Sequence, residues 1–244
     1  MLASIIIPYY KSEKFIKKTI SSIINQTYKK WEIIIIDDEN SNVSFKVLNA
    51  FKNKKIRVYS NKKNIGVAKS RNIGITKAKG NLICFIDSDD YWHKNKLLEQ
   101  IYQMKKNNYD ISYTSYTAFE NTNTIVYRVL AKNILNYSKL IKSNPICCSS
   151  VVIKKKILRN IKFPNIKTKE DYALWLKLSR KNKFYPIKKN LTFHRLRKNS
   201  LSSLHLNKLY NAFLIYYKFL NFNIIYSFYS VCRLYINAFI KKYF

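Results

Sequence analysis

The sequence predicts an α/β protein with a mostly parallel central sheet flanked by helices. Two continuous apolar runs, at residues 3–7 and 31–36, have the pattern of strands that are buried on both faces. Between them, apolar residues recur with helical spacing over residues 15–24, which makes a strand–helix–strand unit. The alternation continues to about residue 86, and right-handed crossovers then place helices on both faces of the sheet.

The remaining elements are predicted in turn from the same patterns. Up to residue 90 we expect a helix near 43–53, a strand at 56–60, a helix near 67–78 and a strand at 82–86. Beyond residue 90 the alternation loosens, and we expect a helix near 94–107, short strands near 110–116 and 124–129, and a helix near 170–182. The sequence therefore predicts one α/β domain over residues 1–205 and a basic, aromatic helical tail over residues 206–244.

The chain is very basic, with 46 Lys and Arg against 13 Asp and Glu and a formal net charge of +33. Its apolar content of 47% nevertheless predicts a folded core. The lysines are scattered and no helix-turn-helix, zinc-finger or RNA-recognition pattern accompanies them, so we expect no nucleic-acid partner. The four cysteines form no Cys-x-x-Cys pair, so we expect no structural zinc, no disulfide framework and a cytoplasmic location.

Acidic residues are scarce, and eight of the thirteen lie in three clusters: Asp37-Asp38-Glu39, then Asp87 with Asp89 and Asp90, and Glu170-Asp171. The first two clusters follow predicted strands, and open parallel sheets bind ligands at the carboxyl ends of their strands. The middle cluster brings like charges together, which favours a compensating cation, and its hard oxygens suit Mg²⁺ or Mn²⁺. Such an ion keeps phosphate oxygens among its ligands, so this cluster predicts a nucleoside diphosphate site. The alternative is an acidic loop with solvated charges.

The other two clusters each have a structural and a functional interpretation. Asp37 and Asp38 would cap backbone N–H groups of a strand-to-helix turn, or Asp38 would accept a hydrogen bond from a nucleobase or ribose. Glu170 and Asp171 would complement a helix dipole, or would include a catalytic base. The residues alone leave both alternatives open.

Several blocks then resemble a known family. They are SIIIPYY (4–10), QT (26–27) before WEIIIIDD (31–38), NIGVAKSRNIG (64–74), FIDSDD (85–90), KEDYALWL (169–176) and RKNSLS (197–202). In order and spacing they are similar to the family-2 glycosyltransferases with the GT-A fold, above all to small, non-processive bacterial transferases of teichuronic-acid, capsule and lipopolysaccharide assembly. The resemblance covers residues 2–205. One position departs from it, because Lys11 stands where many relatives carry Asn.

This resemblance implies an inverting, metal-assisted transfer of one sugar from a nucleotide sugar, usually a UDP sugar, to an acceptor hydroxyl. It implies that Pro8 and Asp38 line the base pocket and that Asp171 is the general base. The nucleotide-sugar site would include Asp87, Asp89 and Asp90, with Asp87 and Asp89 as ligands of Mn²⁺ or Mg²⁺. The basic surroundings predict that Asp171 stays ionised.

The resemblance also implies further contacts near the diphosphate or the acceptor. Arg71 would approach the diphosphate, and these other residues would contact the diphosphate or the acceptor: Glu170, His194, Arg195, Arg197 and Lys198. A structural role for His194 beside arginines remains equally open.

The end of the chain predicts a membrane contact. After Asp171 there are fourteen Lys and Arg and no acidic residue, and residues 209–244 interleave Tyr, Phe, Ile and Leu with lysine and arginine. The longest uncharged stretch, residues 219–232, is shorter than the roughly 20 residues that span a bilayer, so we expect an interfacial helix. The alternative is a tail that packs on the domain or forms a homo-oligomer contact.

Together these observations predict a glycosyltransferase on the cytoplasmic face of the inner membrane, peripherally bound, with a lipid-linked glycan or polysaccharide precursor as acceptor. Two other classes remain open at this point. A sugar nucleotidyltransferase would use a similar sheet and metal but would release pyrophosphate. A basic membrane or nucleic-acid binding module would have no catalysis.

Overall fold

The computed structural model of the chain describes residues 1–120, 124–197 and 205–243. The first half alternates strands and helices as predicted: β1 (Ala3–Tyr9), α1 (Glu13–Ile24), β2 (Trp31–Asp37), α2 (Asn42–Asn49), β3 (Ile56–Ser60), α3 (Val67–Lys77) and β4 (Leu82–Phe85). Then follow β5 (Tyr91–Trp92), α4 (Lys96–Lys106), β6 (Ile111–Glu120), β7 (Thr124–Val129), α5 (Tyr137–Leu140), β8 (Val151–Lys154), α6 (Glu170–Ser179) and β9 (Tyr185–Arg195). The chain ends in α7 (His205–Leu214), a π-helical segment (Ile215–Phe219) and α8 (Ile224–Tyr243).

Within the described residues the strands form one sheet in the order β3-β2-β1-β4-β8-β6-β9-β5, with β7 paired to β6. The strands β3, β2, β1 and β4 are parallel, as the alternation predicts. The second half differs, because β8 pairs antiparallel with both β4 and β6, whereas β6 and β9 are parallel. The whole sheet is therefore mixed. The carboxyl ends of its parallel strands form the edge at which the sequence predicts the ligand.

Both faces of the parallel half are buried, which explains the continuous isoleucine runs. Ile6 and Ile34 point into one core cluster, whereas Ile5, Ile7 and Ile33 point into the other. All five are fully buried. Successive side chains of a strand point to opposite faces, so a strand covered on both sides carries apolar residues at successive positions.

The C-terminal helices pack on the domain along one face. Ala212, Tyr216 and Leu234 lie in the same core cluster as α6, and the Tyr216 hydroxyl is 2.9 Å from the Tyr172 hydroxyl. The opposite face of α8 exposes large apolar side chains, with Ile225 79% exposed. Across residues 1–120, 124–197 and 205–243, no helix is both long enough and apolar enough to cross a membrane.

A buried lysine in α4 gives a first stability prediction. The Lys96 side chain is fully buried, and its ammonium lies 3.8 Å from the centroid of the Trp92 ring without a hydrogen-bond partner among the described residues. Burial lowers the pKa of Lys96 to about 8, although Cys84 acts in the opposite direction. We expect Lys96→Met to raise the free energy of unfolding at pH 7 by about 1–3 kcal/mol. Each unit by which burial lowers the pKa of Lys96 costs the folded state about 1.4 kcal/mol, and the contact of the ammonium with the Trp92 ring offsets up to about 2 kcal/mol.

The pH dependence provides the check. Between the folded-state pKa and the unfolded value, the unfolded chain binds more protons at this group, so the wild-type stability rises with pH there and the advantage of the variant fades by about pH 10. Urea unfolding at pH 7 and pH 9.5 measures both effects. Lys105→Met is the matched control, because Lys105 is exposed on the same helix. A Lys96→Met protein no more stable than this control at pH 7 contradicts the prediction.

Candidate active site

The carboxyl ends of β1 and β2 place the first two predicted residues side by side. Pro8 lies in β1 opposite Ile36 of β2, and the Asp38 backbone N–H donates to the Tyr9 carbonyl at 2.9 Å. Pro8 is partly buried and Asp38 is 3% exposed. The parallel register therefore produces the adjacency that the sequence predicts.

The Asp38 carboxylate holds the loop between β3 and α3. It accepts hydrogen bonds from the Asn61 side chain at 2.9 Å and from the backbone N–H groups of Ile65 and Gly66 at 2.9 and 2.8 Å. Gly66 adopts φ 87°, a left-handed conformation in which a residue with a Cβ is strained. The backbone-capping alternative is thus present at Asp38. A carboxylate has about four acceptor positions, so one position of Asp38 has no donor among the described residues, and its contact with a nucleobase stays a prediction.

The acids after β4 lie at the same edge, each paired with a basic residue. Asp87 Oδ1 is 2.6 Å from the Arg71 guanidinium, and Asp89 Oδ2 is 2.7 Å from Arg197 Nε. Burial and the charge of Asp90 raise the pKa of Asp89 to about 7, while Arg197 acts in the opposite direction.

Arg71 joins two of the acid clusters. Its side chain in α3 is 3% exposed, and it donates to Asp87 at 2.6 Å and to Glu170 at 2.5 Å, although Glu170 lies 99 residues away in the sequence. The guanidinium also lies over the Phe163 ring. In this structure both terminal nitrogens of Arg71 bind carboxylates, and Arg71 brings α6 to the acids after β4. The contact of Arg71 with the diphosphate stays a prediction.

The Arg71 contact places Glu170 and Asp171, in the first turn of α6, close to this edge. Asp171 Oδ1 accepts from the backbone N–H of Tyr172 at 2.7 Å, and its side chain is half-buried. Burial raises the pKa of Glu170 to about 7, and it also raises the pKa of Asp171, although Arg71 lowers both. Desolvation therefore outweighs the basic surroundings in setting the direction of the pKa shift of Asp171, and its ionised state stays a prediction.

Asp90 lies in the interior, beside the end of β9. It is fully buried, and its carboxylate accepts from the Ser149 hydroxyl at 2.6 Å and from the Arg195 backbone N–H at 2.8 Å. His194 Nδ1 is 3.2 Å from both Asp90 oxygens, and Asp90 raises the pKa of His194 well above its usual range although burial lowers it. The Asp90 carboxylate therefore fastens β9 to the loop after β4, and its contact with the nucleotide sugar stays a prediction.

The basic segment after β9 is only partly described. Arg195 Nε donates to the Asp89 carbonyl at 3.2 Å, and its guanidinium lies over the rings of Phe15 and Phe119. Arg197 is about one-third exposed beside Asp89. Lys198, the last member of the predicted basic set, lies outside the described residues. Arg195 and His194 therefore bind the acid loop directly, and their contact with the diphosphate or the acceptor stays a prediction.

The predicted divalent ion fits the acids after β4 on donor chemistry. Asp87 and Asp89 each use one oxygen for an arginine, and the other oxygen of each has no hydrogen-bond donor among the described residues. Their side chains are 29% and 11% exposed, so both reach the open edge. Two free carboxylate oxygens, completed by water and phosphate, match the coordination that Mg²⁺ and Mn²⁺ prefer.

One residue of this site carries no signal in the sequence. Ser149 accepts from the Asp87 backbone N–H at 3.1 Å and donates to Asp90, and its carbonyl accepts from the Trp92 indole at 2.8 Å. It lies in a short 3₁₀ turn before β8, an element that the periodicity did not predict. Only the antiparallel pairing of β8 with β4 brings it to the site.

The chain is similar to several known proteins. Residues 4–162 match the family model described as Glycosyl transferase family 2. The chain is 38% identical over 207 residues to the UDP-Glc:alpha-D-GlcNAc-diphosphoundecaprenol beta-1,3-glucosyltransferase WfgD of Escherichia coli, which covers 83% of this chain and 80% of WfgD. It is 30% identical over 206 residues to the putative teichuronic acid biosynthesis glycosyltransferase TuaG of Bacillus subtilis, covering 83% of this chain and 82% of TuaG.

Among solved structures, residues 1–349 of TarS from S. aureus in complex with UDP-GlcNAc superpose with a TM-score of 0.75. The sequence identity is 21%, and the match covers 93% of this chain and 69% of the TarS chain. At this identity the likeness shows the fold alone, which is the GT-A fold that the motifs imply.

Proposed function

The chain belongs to glycosyl transferase family 2 and is a glycosyltransferase, and we propose that it moves one hexosyl residue, with inversion, from a UDP-hexose to a hydroxyl of a lipid-linked glycan precursor. WfgD supports the donor and acceptor classes, because its name specifies UDP-Glc and a diphosphoundecaprenol-linked sugar. TarS supports the nucleotide, because it was crystallised with UDP-GlcNAc.

The observation that carries the proposal is the bridge through Arg71. It holds Glu170, and with it the first turn of α6, against Asp87 at the edge where strand ends meet a ligand. A group-transfer enzyme needs a carboxylate that takes a proton close to groups that stabilise the leaving phosphate. Asp171 and the pair Asp87 and Asp89 supply these two functions.

On the donor side, negative charge builds on the diphosphate as the glycosidic bond breaks. A divalent ion held by Asp87 and Asp89 would neutralise phosphate oxygens when bound. Arg197, paired with Asp89 and partly exposed, supplies a positive charge of this chain at the same place. One oxygen of each carboxylate is paired with an arginine, which holds Asp87 and Asp89 in place. The other oxygen of each would be the ligand of the divalent ion.

On the acceptor side, Asp171 would take the proton of the attacking hydroxyl. Burial raises the pKa of Asp171, which makes its carboxylate a stronger base than an exposed aspartate. Its Oδ1 is oriented by the Tyr172 N–H, which leaves Oδ2 for the hydroxyl proton.

The experiment combines UDP-glucose with a synthetic lipid diphosphate that carries α-linked GlcNAc, in the presence of Mn²⁺. We expect UDP and a disaccharide lipid as products, and a loss of activity of about 10²-fold or more in Asp89→Asn. The matched control is Asp110→Asn, which removes a surface carboxylate paired with Lys154 and Lys156. Release of pyrophosphate would indicate a nucleotidyltransferase, and near wild-type turnover by Asp89→Asn would contradict the proposed site.

We further propose that α8 holds the enzyme on an anionic membrane surface, on the cytoplasmic face. The exposed stripe of α8 has helical spacing and consists of Ile225, Phe228, Tyr229, Ile236 and Ile240. The fourteen Lys and Arg after Asp171, with no acidic residue among them, add attraction to anionic lipid.

Charge substitutions in this stripe should release the protein from membranes. We expect Ile225→Glu/Phe228→Glu to weaken binding to vesicles containing anionic phosphatidylglycerol by more than tenfold, since burying each apolar side chain is worth about 1.5–3 kcal/mol. Binding of the wild type should also weaken with salt. Leu98→Glu/Tyr102→Glu on α4 is the matched control, because both residues are similarly exposed. Equal binding by the two double variants, or salt-independent binding, contradicts the proposal.

A further inference from the structure

We propose that Asp90, Cys147 and His194 form a second cation site, for a zinc-like ion bound through a carboxylate, a thiolate and an imidazole. One ligand atom from each residue lies within 4.8 Å of the other two. Zinc bond lengths of about 2.0–2.3 Å in a tetrahedral site separate ligand atoms by about 3.3–3.8 Å, so small side-chain rotations suffice to close it. This donor set differs from the oxygen donors of Asp87 and Asp89, because nitrogen and sulfur favour Zn²⁺ over Mg²⁺.

Each ligand is held by a separate element. Asp90 follows β4 and is fixed by the Ser149 hydroxyl at 2.6 Å. His194 lies in β9, where it pairs with Ala118 of β6. The carbonyl of Cys147 accepts from the Ser150 N–H at 2.9 Å, which orders the turn before β8. Partners of this kind orient metal ligands before the ion arrives, so binding requires little reorganisation.

The contacts within the cluster match ligation chemistry. His194 Nδ1 lies 3.2 Å from both Asp90 oxygens, which is close to the separation of two atoms that bind the same zinc ion. Binding would release the Cys147 thiol proton and the additional His194 proton to solvent, leaving a thiolate and a neutral imidazole. Three protein ligands are the number found in zinc sites that keep a water or a substrate as the fourth ligand.

The site is new relative to the transfer chemistry, which uses neither the Cys147 thiol nor the His194 imidazole. Asp90 is fully buried and Cys147 is 9% exposed, whereas the His194 side chain is partly exposed. The spacing of the cysteines did not predict it, because the ligands come from three distant segments. The inference does not depend on the donor or acceptor proposed above.

The test uses Co²⁺, which takes the same ligands as Zn²⁺ and gives a strong near-ultraviolet charge-transfer band when a thiolate binds it. The full chain carries Cys232→Ser, which removes the exposed thiol. We expect the band to saturate at one Co²⁺ per chain at pH 8 and to be abolished by competing Zn²⁺ but not by excess Mg²⁺. Cys147→Ser should remove the band and His194→Gln should reduce it. Cys148→Ser, the adjacent buried cysteine, should retain it.

Two results would overturn the proposal: no sulfur band in the parent protein at saturating Co²⁺, or an unchanged band in Cys147→Ser. Circular dichroism checks that each variant folds. If Cys147→Ser does not fold, the site is tested in the parent protein by alkylation of its cysteines followed by mass spectrometry. Zn²⁺ should slow alkylation of Cys147 by at least tenfold and leave that of Cys148 unchanged, and an unaffected Cys147 rate contradicts the site.

Discussion

Asp171→Asn should reduce kcat by about 10²–10⁴-fold while leaving the KM for the sugar nucleotide within about threefold of the wild type. The size of the loss is that expected when a general base is removed, since Asn keeps the volume of Asp but takes no proton. In the wild type the Tyr172 N–H donates to Asp171 Oδ1 at 2.7 Å. Asn retains an oxygen that can accept this hydrogen bond, so α6 should begin at the same residue. Steady-state kinetics with the lipid acceptor measures the effect.

The pH profile separates a base from a residue that only maintains structure. Burial raises the pKa of Asp171, so the wild-type kcat should fall on the acid side at a pH above the ordinary value for an aspartate. The residual kcat of Asp171→Asn should not show the fall on the acid side that protonation of Asp171 causes in the wild type. Asp110→Asn again serves as the control, with unchanged kcat and profile. A folded Asp171→Asn protein with the wild-type profile would assign the proton transfer to another group.

The parallel half of the fold follows from the sequence because its signal is local. Both β1 and β2 contain a continuous run of isoleucines, and the isoleucines on both faces are buried, so pattern and burial agree. The placement of Asp38 and Asp87 at one edge follows too, since parallel strands align their carboxyl ends. These predictions need only the period of the strands and the handedness of the crossovers.

The second half of the fold was harder to predict from the sequence, because its strands combine buried and exposed positions in no regular order. β9 contains Pro186, Lys188 and Lys189, and three consecutive exposed positions interrupt its buried ones. No simple alternation remains, yet this strand brings His194 and Arg195 to Asp90. Its buried apolar residues Ile187 and Leu191 are four positions apart, a spacing that also fits a helix.

Interactions between distant segments were beyond sequence reasoning. The Arg71 contact with Glu170 spans 99 residues and depends on how α3 and α6 pack around Phe163. From the sequence, Arg71 was one basic residue among 46, and only the resemblance singled it out. The family motif indicated that Arg71 matters, whereas its role as a bridge between carboxylates required the three-dimensional structure.

Arg71→Met should lower the free energy of unfolding by about 3–5 kcal/mol. Removing one member of a buried charge network leaves uncompensated charges, and here the 3% exposed guanidinium serves both Glu170 and Asp87. Methionine fills a volume similar to that of arginine, so lost packing accounts for little of the expected loss. Arg71 Nε has no acceptor among the described residues, so its removal breaks no further hydrogen bond. Arg71→Lys should lose less, because an ammonium pairs well with only one of the two carboxylates.

The loss should also depend on pH, in a direction set by Glu170. Burial already raises the pKa of Glu170 to about 7, and removing Arg71 should raise it further. The folded variant then binds more protons than its unfolded chain between the ordinary and the raised pKa, so its stability falls as pH rises through this range. Urea unfolding at pH 5 and pH 8 should therefore show the larger deficit at pH 8.

A double variant tests whether Glu170 is the source of this deficit. Arg71→Met/Glu170→Gln should recover part of the stability lost in Arg71→Met and remove most of its pH dependence, because the glutamine carries no charge. Glu99→Gln in the Arg71→Met background is the matched control, since Glu99 pairs with Lys189 at the surface. A loss below about 1 kcal/mol in Arg71→Met, equal at both pH values, would mean that the carboxylates do not depend on Arg71.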